Sequence, residues 1–114
     1  MNEMRPNQEV GDPGEEEVLD QIVDLEEYAK AGKRPPLAKG YRFRVNGQPF
    51  VIHQPIVTGL DVLTVAGLLP AKDYTLRLKM AGAKPEKIGL EDKVDLRRHG
   101  IEKFKALPRD QTEG

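Results

Sequence analysis

Asn46-Gly47 stands between two runs of alternating apolar residues, and that dipeptide limits the chain more than any other feature. Asparagine and glycine reach positive φ at low cost, so the pair closes a two-residue hairpin whose twist matches its strands. Before the turn, Tyr41, Phe43 and Val45 fall on one face and Arg42 and Arg44 on the other. A second strand is expected from about Gln48 to Gln54. Pro49 near its start and Pro55 after it place that strand at a sheet edge, because proline cannot donate to a ladder.

The next segment changes period. Thr58-Gly59-Leu60-Asp61 has capping-box spacing and opens an apolar stretch, 60–68, that Pro70 closes. From Thr75 to Met80 the period returns to two, with Leu76, Leu78 and Met80 opposite Thr75, Arg77 and Lys79. Gly82, Pro85 and Gly89 mark 81–89 as a loop. A short strand fits 93–96, and a last strand fits 101–107 with Phe104 and Ala106 inward and Lys103 and Lys105 outward. Pro108 stops it. The order of hairpin, helix, strand, short strand and strand predicts an α+β fold: a ubiquitin-like β-grasp, with a mixed four- to five-stranded sheet crossed by one helix. Phe43, Leu63, Leu76, Leu78 and Phe104 are its expected core.

Upstream the composition shifts. Residues 1–28 hold ten acids against Arg5 alone, whereas the rest holds nine acids against seventeen bases. Residues 1–12 lack an apolar period and read as a disordered tail. Asp12 as N-cap, Pro13 at the first turn, and the stripe Val18, Ile22, Leu25, Ala29 predict an acidic amphipathic helix over about 13–31, within a 13–34 segment. Gly32 supplies its left-handed cap, and 35–40 reads as a linker to a domain over 41–108. Arg42, Arg44, Arg77, Lys79, Lys103 and Lys105 form one basic face if their strands are neighbours. That face is either a solvated sheet surface or a partner surface. The acidic helix, with Val18, Ile22 and Leu25 as its apolar contacts, is expected to dock there in the same chain, on a neighbour by self-association, or on a partner enzyme.

Several classes drop out. Without cysteine there is no disulfide and no thiol nucleophile. His53 and His99 are too few and too far apart to suggest a metal or a triad, and no phosphate-loop or paired-carboxylate motif occurs. The chain is therefore expected to be a non-enzyme without metal or cofactor. No run of apolar residues is long enough for a membrane span, and the expected location is the cytoplasm. Nucleic acid is disfavoured, because an attached acidic arm competes with phosphates and aromatics for base stacking are scarce.

YRFRVNGQPFVI at 41–52, TGLDVLTVAGL at 58–68, DYTLRL at 73–78 and VDLRRHGIEKFKALP at 94–108 together resemble the bacterial multiubiquitin-type ubiquitin-like modifiers. DLEEYAKAGKRPP at 24–36 is similar to the lead-in before such domains. The resemblance implies a protein modifier encoded beside an activating-type enzyme, a conjugating-type enzyme and a JAB-type metallopeptidase, in operons linked to antiphage defence. It implies that Gly114 is the acyl donor for an isopeptide bond to a target lysine, with Arg109, Asp110, Gln111, Thr112 and Glu113 as the tail that enzymes grip. Such proteins often carry tandem units, and one unit is found here. Ubiquitin ends Gly-Gly, whereas this sequence ends Thr112-Glu113-Gly114. A β-grasp sulphur carrier and a non-conjugated, self-assembling interaction module are the alternatives.

Overall fold

A computed structural model of the protein describes residues 17–109. The hairpin is where the alternation puts it. Strands β2 (Ala38–Val45) and β3 (Gln48–Ile52) pair antiparallel, with Val45 opposite Gln48. Asn46 and Gly47 both take positive φ, 54° and 85°, as the tight turn requires. Helix α2 (Gly59–Val65) carries the expected capping box: Asp61 N donates to Thr58 Oγ1 at 3.1 Å, and Thr58 N donates to Asp61 Oδ2 at 2.9 Å. β5 (Tyr74–Met80) and β8 (Ile101–Pro108) run antiparallel over their whole length.

Three short strands complete the set. β4 (Ile56–Thr58) pairs with β7 (Lys93–Asp95) as a separate ribbon, and β6 (Glu86–Ile88) edges β5. β6 lies within the expected 81–89 loop; three residues containing two charges give too little alternation to read.

The N-terminal segment departs most from expectation. In place of one helix over 13–31, Leu19–Asp24 is a strand, β1, and only Leu25–Ala31 is helical, α1. Residues 1–16, including Asp12 and Pro13, lie outside the described residues. Leu19, Ile22 and Val23 have the i, i+3, i+4 spacing of a helix, yet the segment is extended, so the local period is overridden. The choice is made by a free sheet edge, because β1 pairs parallel with the first half of β2, Val23 opposite Tyr41 and Asp24 opposite Arg42. The crossover between them has the length that a parallel pair needs, with α1 inside it. Asp24, not Asp12, caps α1, accepting from Glu26 N at 3.1 Å, and Gly32 supplies the left-handed end at φ 68°.

Nor is 35–40 a free linker. Pro35, Ala38 and Gly40 are buried, and β2 already begins at Ala38. The Tyr41 hydroxyl donates to Pro36 O at 3.0 Å and accepts from Ala38 N at 2.9 Å, clamping this stretch to the domain. Gly40 faces Ile22, and a Cβ there would overlap the Ile22 Cδ1 atom.

β2 therefore has β3 along one edge, with β1 and then β8 end to end along the other. Arg42 pairs with both β1 and β3, and Val45 pairs with both β3 and β8, which fixes that arrangement. The main sheet continues through β8 to β5 and β6. Phe43, Leu63, Leu76, Leu78 and Phe104 are buried in one core, as expected, joined by Val23 and Leu25 from the N-terminal segment. The Phe43 and Phe104 rings meet edge to face, centroids 5.4 Å apart.

Candidate functional site

The outward side of the sheet holds the six predicted cations, in two different situations. Side chains alternate along a strand, so burying Tyr41, Phe43 and Val45 turns Arg42 and Arg44 out. Leu76, Leu78, Phe104 and Ala106 do the same for Arg77, Lys79, Lys103 and Lys105. β2, β8 and β5 are neighbours, so all six share one face.

The two arginines on β2 have internal partners. Arg44 Nη1 lies 3.3 Å from Asp24 Oδ1 and 2.9 Å from Glu26 Oε1, and Arg42 Nη1 lies 3.8 Å from Asp24 Oδ2. Asp24 holds the Arg44 guanidinium above its ordinary pKa, first by the hydrogen bond and then by its charge. Two acids at the start of α1, the N-cap Asp24 and Glu26, thus meet Arg42 and Arg44 within the chain. Of the three apolar residues expected to make that contact, Leu25 is buried and Ile22 half-buried, while Val18 is 55% exposed.

The other four cations line a hollow with Pro85. Across the β5–β8 ladder, Arg77 stands opposite Lys105 and Lys79 opposite Lys103. On its other side Arg77 stands opposite Lys87, a residue that the reading of 81–89 as a loop missed. Lys79 Nζ donates to Met80 O and Ala83 O and lies 3.8 Å from Glu102. Arg77, Lys103 and Lys105 have no acidic partner among the described residues.

Of the predicted tail, Arg109 is described and Asp110, Gln111, Thr112, Glu113 and Gly114 are not. β8 ends at Pro108, and Arg109 Nε donates to Lys72 O, so the chain leaves the sheet at the β5 end from a held position. Asn46 does more than turn the hairpin. Its side chain donates to Ala106 O at 2.9 Å and accepts from Ala106 N at 2.8 Å, extending the β2–β8 pairing past Val45. Nothing in its local sequence signals that role.

His53 Nδ1 lies 3.2 Å from Lys39 O, and His99 Nε2 lies 2.8 Å from Gly32 O, each beside backbone. Among the described residues no group of three His, Asp or Glu is placed to hold a metal ion. No helix among them is long and apolar enough to cross a membrane.

A mixed sheet built on a hairpin, with a capped helix packed into its core and the chain leaving from the last strand, defines a ubiquitin-like protein of the β-grasp type. A family model described as Multiubiquitin matches residues 41–109, more than half of the chain. The chain belongs to that family. No curated protein and no solved structure gave a significant match.

Proposed function

We propose that the protein is a ubiquitin-like modifier, joined through the carboxylate of Gly114 to lysine on a target protein. The Multiubiquitin match over 41–109 carries this reading. The end of β8 supports it: the strand stops at Pro108, and Arg109 beyond it is exposed. An acyl donor must thread a narrow enzyme passage, and a terminal glycine has no side chain to obstruct it.

The chemistry belongs to partner enzymes. An activating-type enzyme joins the Gly114 carboxylate to the α-phosphate of ATP, and pyrophosphate leaves. A thiolate of that enzyme attacks the acyl carbon and AMP leaves, giving a thioester that passes to a conjugating-type enzyme. The lysine amine then displaces the thiol and forms the isopeptide bond. A JAB-type metallopeptidase is the matching processing or removal enzyme. A bacterial ubiquitination-like pathway, serving defence against phage in the cytoplasm, is the setting the family resemblance suggests. The protein itself is substrate, not catalyst.

Intact-mass measurement after incubation with the activating-type and conjugating-type enzymes, ATP and lysine-bearing protein tests the reading. One whole modifier added to the acceptor, with the release of one water, is expected, and the addition should vanish when Gly114 is deleted. Replacement of a terminal oxygen by sulphur would make it a sulphur carrier. No covalent change would leave a non-conjugated interaction module.

A further inference from the structure

We propose that the outward face of β5 and β8 is a docking surface for an acidic protein segment whose carboxylates flank one apolar side chain. This rests on the cation geometry and not on the conjugation chemistry.

Four positive side chains converge on one hollow, and the ladder sets them directly opposite one another, Arg77 with Lys105 and Lys79 with Lys103. Like charges in that relation weaken a sheet, and Lys87 beside Arg77 lengthens the row to three strands. An anion laid across the rows removes that repulsion. Among the described residues none supplies one to Arg77, Lys103 or Lys105. Of the described acids, Asp24 and Glu26 pair with the arginines of β2, and Glu102 lies 3.8 Å from Lys79 at the edge of the hollow.

The hollow also selects the occupant. Its floor is mostly apolar, formed by Pro85 and the stems of the four long side chains. At about 280 Å³ it has room for one apolar side chain. No aromatic residue lines it, so bases have no stacking platform. Leu107, 36% exposed, continues the apolar surface along β8 on the same side as Lys105.

The test titrates the full chain, without ATP or enzymes, with an acetylated and amidated Glu-Glu-Leu-Glu-Glu peptide and follows backbone amide shifts. Failure here leaves the modifier reading standing, and failure of conjugation leaves this one. Shifts are expected at Arg77, Lys79, Lys103 and Lys105, with affinity falling several-fold between ~0.05 and ~0.3 M salt. Replacing the central leucine by serine should weaken binding several-fold. The double variant Arg77→Gln, Lys105→Gln should weaken it about tenfold while the β2–β3 amide shifts stay in place. Lys103→Gln alone is the second variant, should the double one not fold. Tighter binding of an oligothymidylate of equal charge would overturn the proposal in favour of nucleic acid. Shifts centred on Arg42 and Arg44, or no shifts, would also overturn it. Neutralising Glu3, Glu9, Asp12, Glu15 and Glu16 to their amides in the full chain should leave peptide affinity unchanged. A gain of about tenfold would make the N-terminal segment the occupant and sink the trans partner.

Discussion

The β1–α1 corner and the body that follows it share one sheet, yet they are held to it differently. The body is held by burial: α2, β2, β5 and β8 meet through side chains with almost no exposure. The corner adds Val23 and Leu25 to that core, packs Leu19 and Tyr28 against it at partial burial, and is tied down by polar contacts as well. Asp24 caps α1 and pairs with Arg44, Arg34 Nε donates to Arg97 O at 3.0 Å, and Arg97 Nε donates to Pro35 O at 3.3 Å. The family match begins at Tyr41, after β1, α1 and the start of β2. A strand added beside a domain therefore becomes part of its core without sharing its pattern. It also neutralises one end of the cationic face and leaves the other end open.

The largest expected effect lies in the body. Leu63 has no exposed surface, and Leu63→Ala removes buried methyl groups and leaves a cavity, at a cost of about 2–5 kcal/mol. The chemical denaturation midpoint should drop with little change in slope. An unchanged midpoint would mean that α2 is not what closes the core. Gly40→Val addresses the corner. The added side chain meets Ile22 and His53 where β1 pairs with β2, and overpacking of this kind costs about 1–3 kcal/mol. Hydrogen exchange should show Val23 losing protection well before Leu78. Equal loss at both residues would erase the distinction between corner and body.

That distinction also explains what the sequence made legible. Wherever a local rule and the tertiary environment agreed, the reading held: Asn46-Gly47 for the turn, Thr58 and Asp61 for the cap, alternation for β2, β5 and β8. It failed at Leu19–Asp24, whose helical spacing of apolar residues is overridden by pairing with an otherwise empty edge on β2. No property of those six residues records that edge. The cationic face was legible as alternating charges. Its division into a neutralised and an open part depends on β1 lying beside β2, so it was not legible. Lys87 was missed because a three-residue edge strand has too little period to announce itself.

Asp24→Ala comes next in size, at about 0.5–2 kcal/mol, because it removes the N-cap of α1 as well as an ion pair. Asp24→Asn keeps the capping oxygen and loses only the charge, so about 0.2–1 kcal/mol is expected for it, shrinking further in high salt. The pH dependence of the arginine has a definite sign. Because its folded-state pKa is raised, what Arg44 contributes is fully present below its unfolded value and lost only in strong base. On that side, the cost of Asp24→Asn should be flat across neutral pH. A thermal unfolding series from pH 6 to pH 9 checks this, and a slope specific to the Arg44 pair would contradict the assignment.

The smallest effect has the opposite sign and bears most directly on the contrast between the two ends of the face. Lys105 stands opposite Arg77 and has no acidic partner among the described residues, so its charge works against the ladder it sits on. Lys105→Gln keeps most of the stem over the hollow and removes the charge. Relief of a directly opposed like pair is expected to stabilise the fold by about 0.2–1 kcal/mol, more at low salt than at high salt. The same kind of change at Arg44, to Gln, should destabilise, because there the charge is matched by Asp24 and Glu26. Two neutralisations on one face, in neighbouring strands, should therefore move the denaturation midpoint in opposite directions. If Lys105→Gln lowers stability at low salt, the four cations are held by an attraction within the fold. The open end of the face would then be as settled as the β1 end, with no charge left to offer a partner.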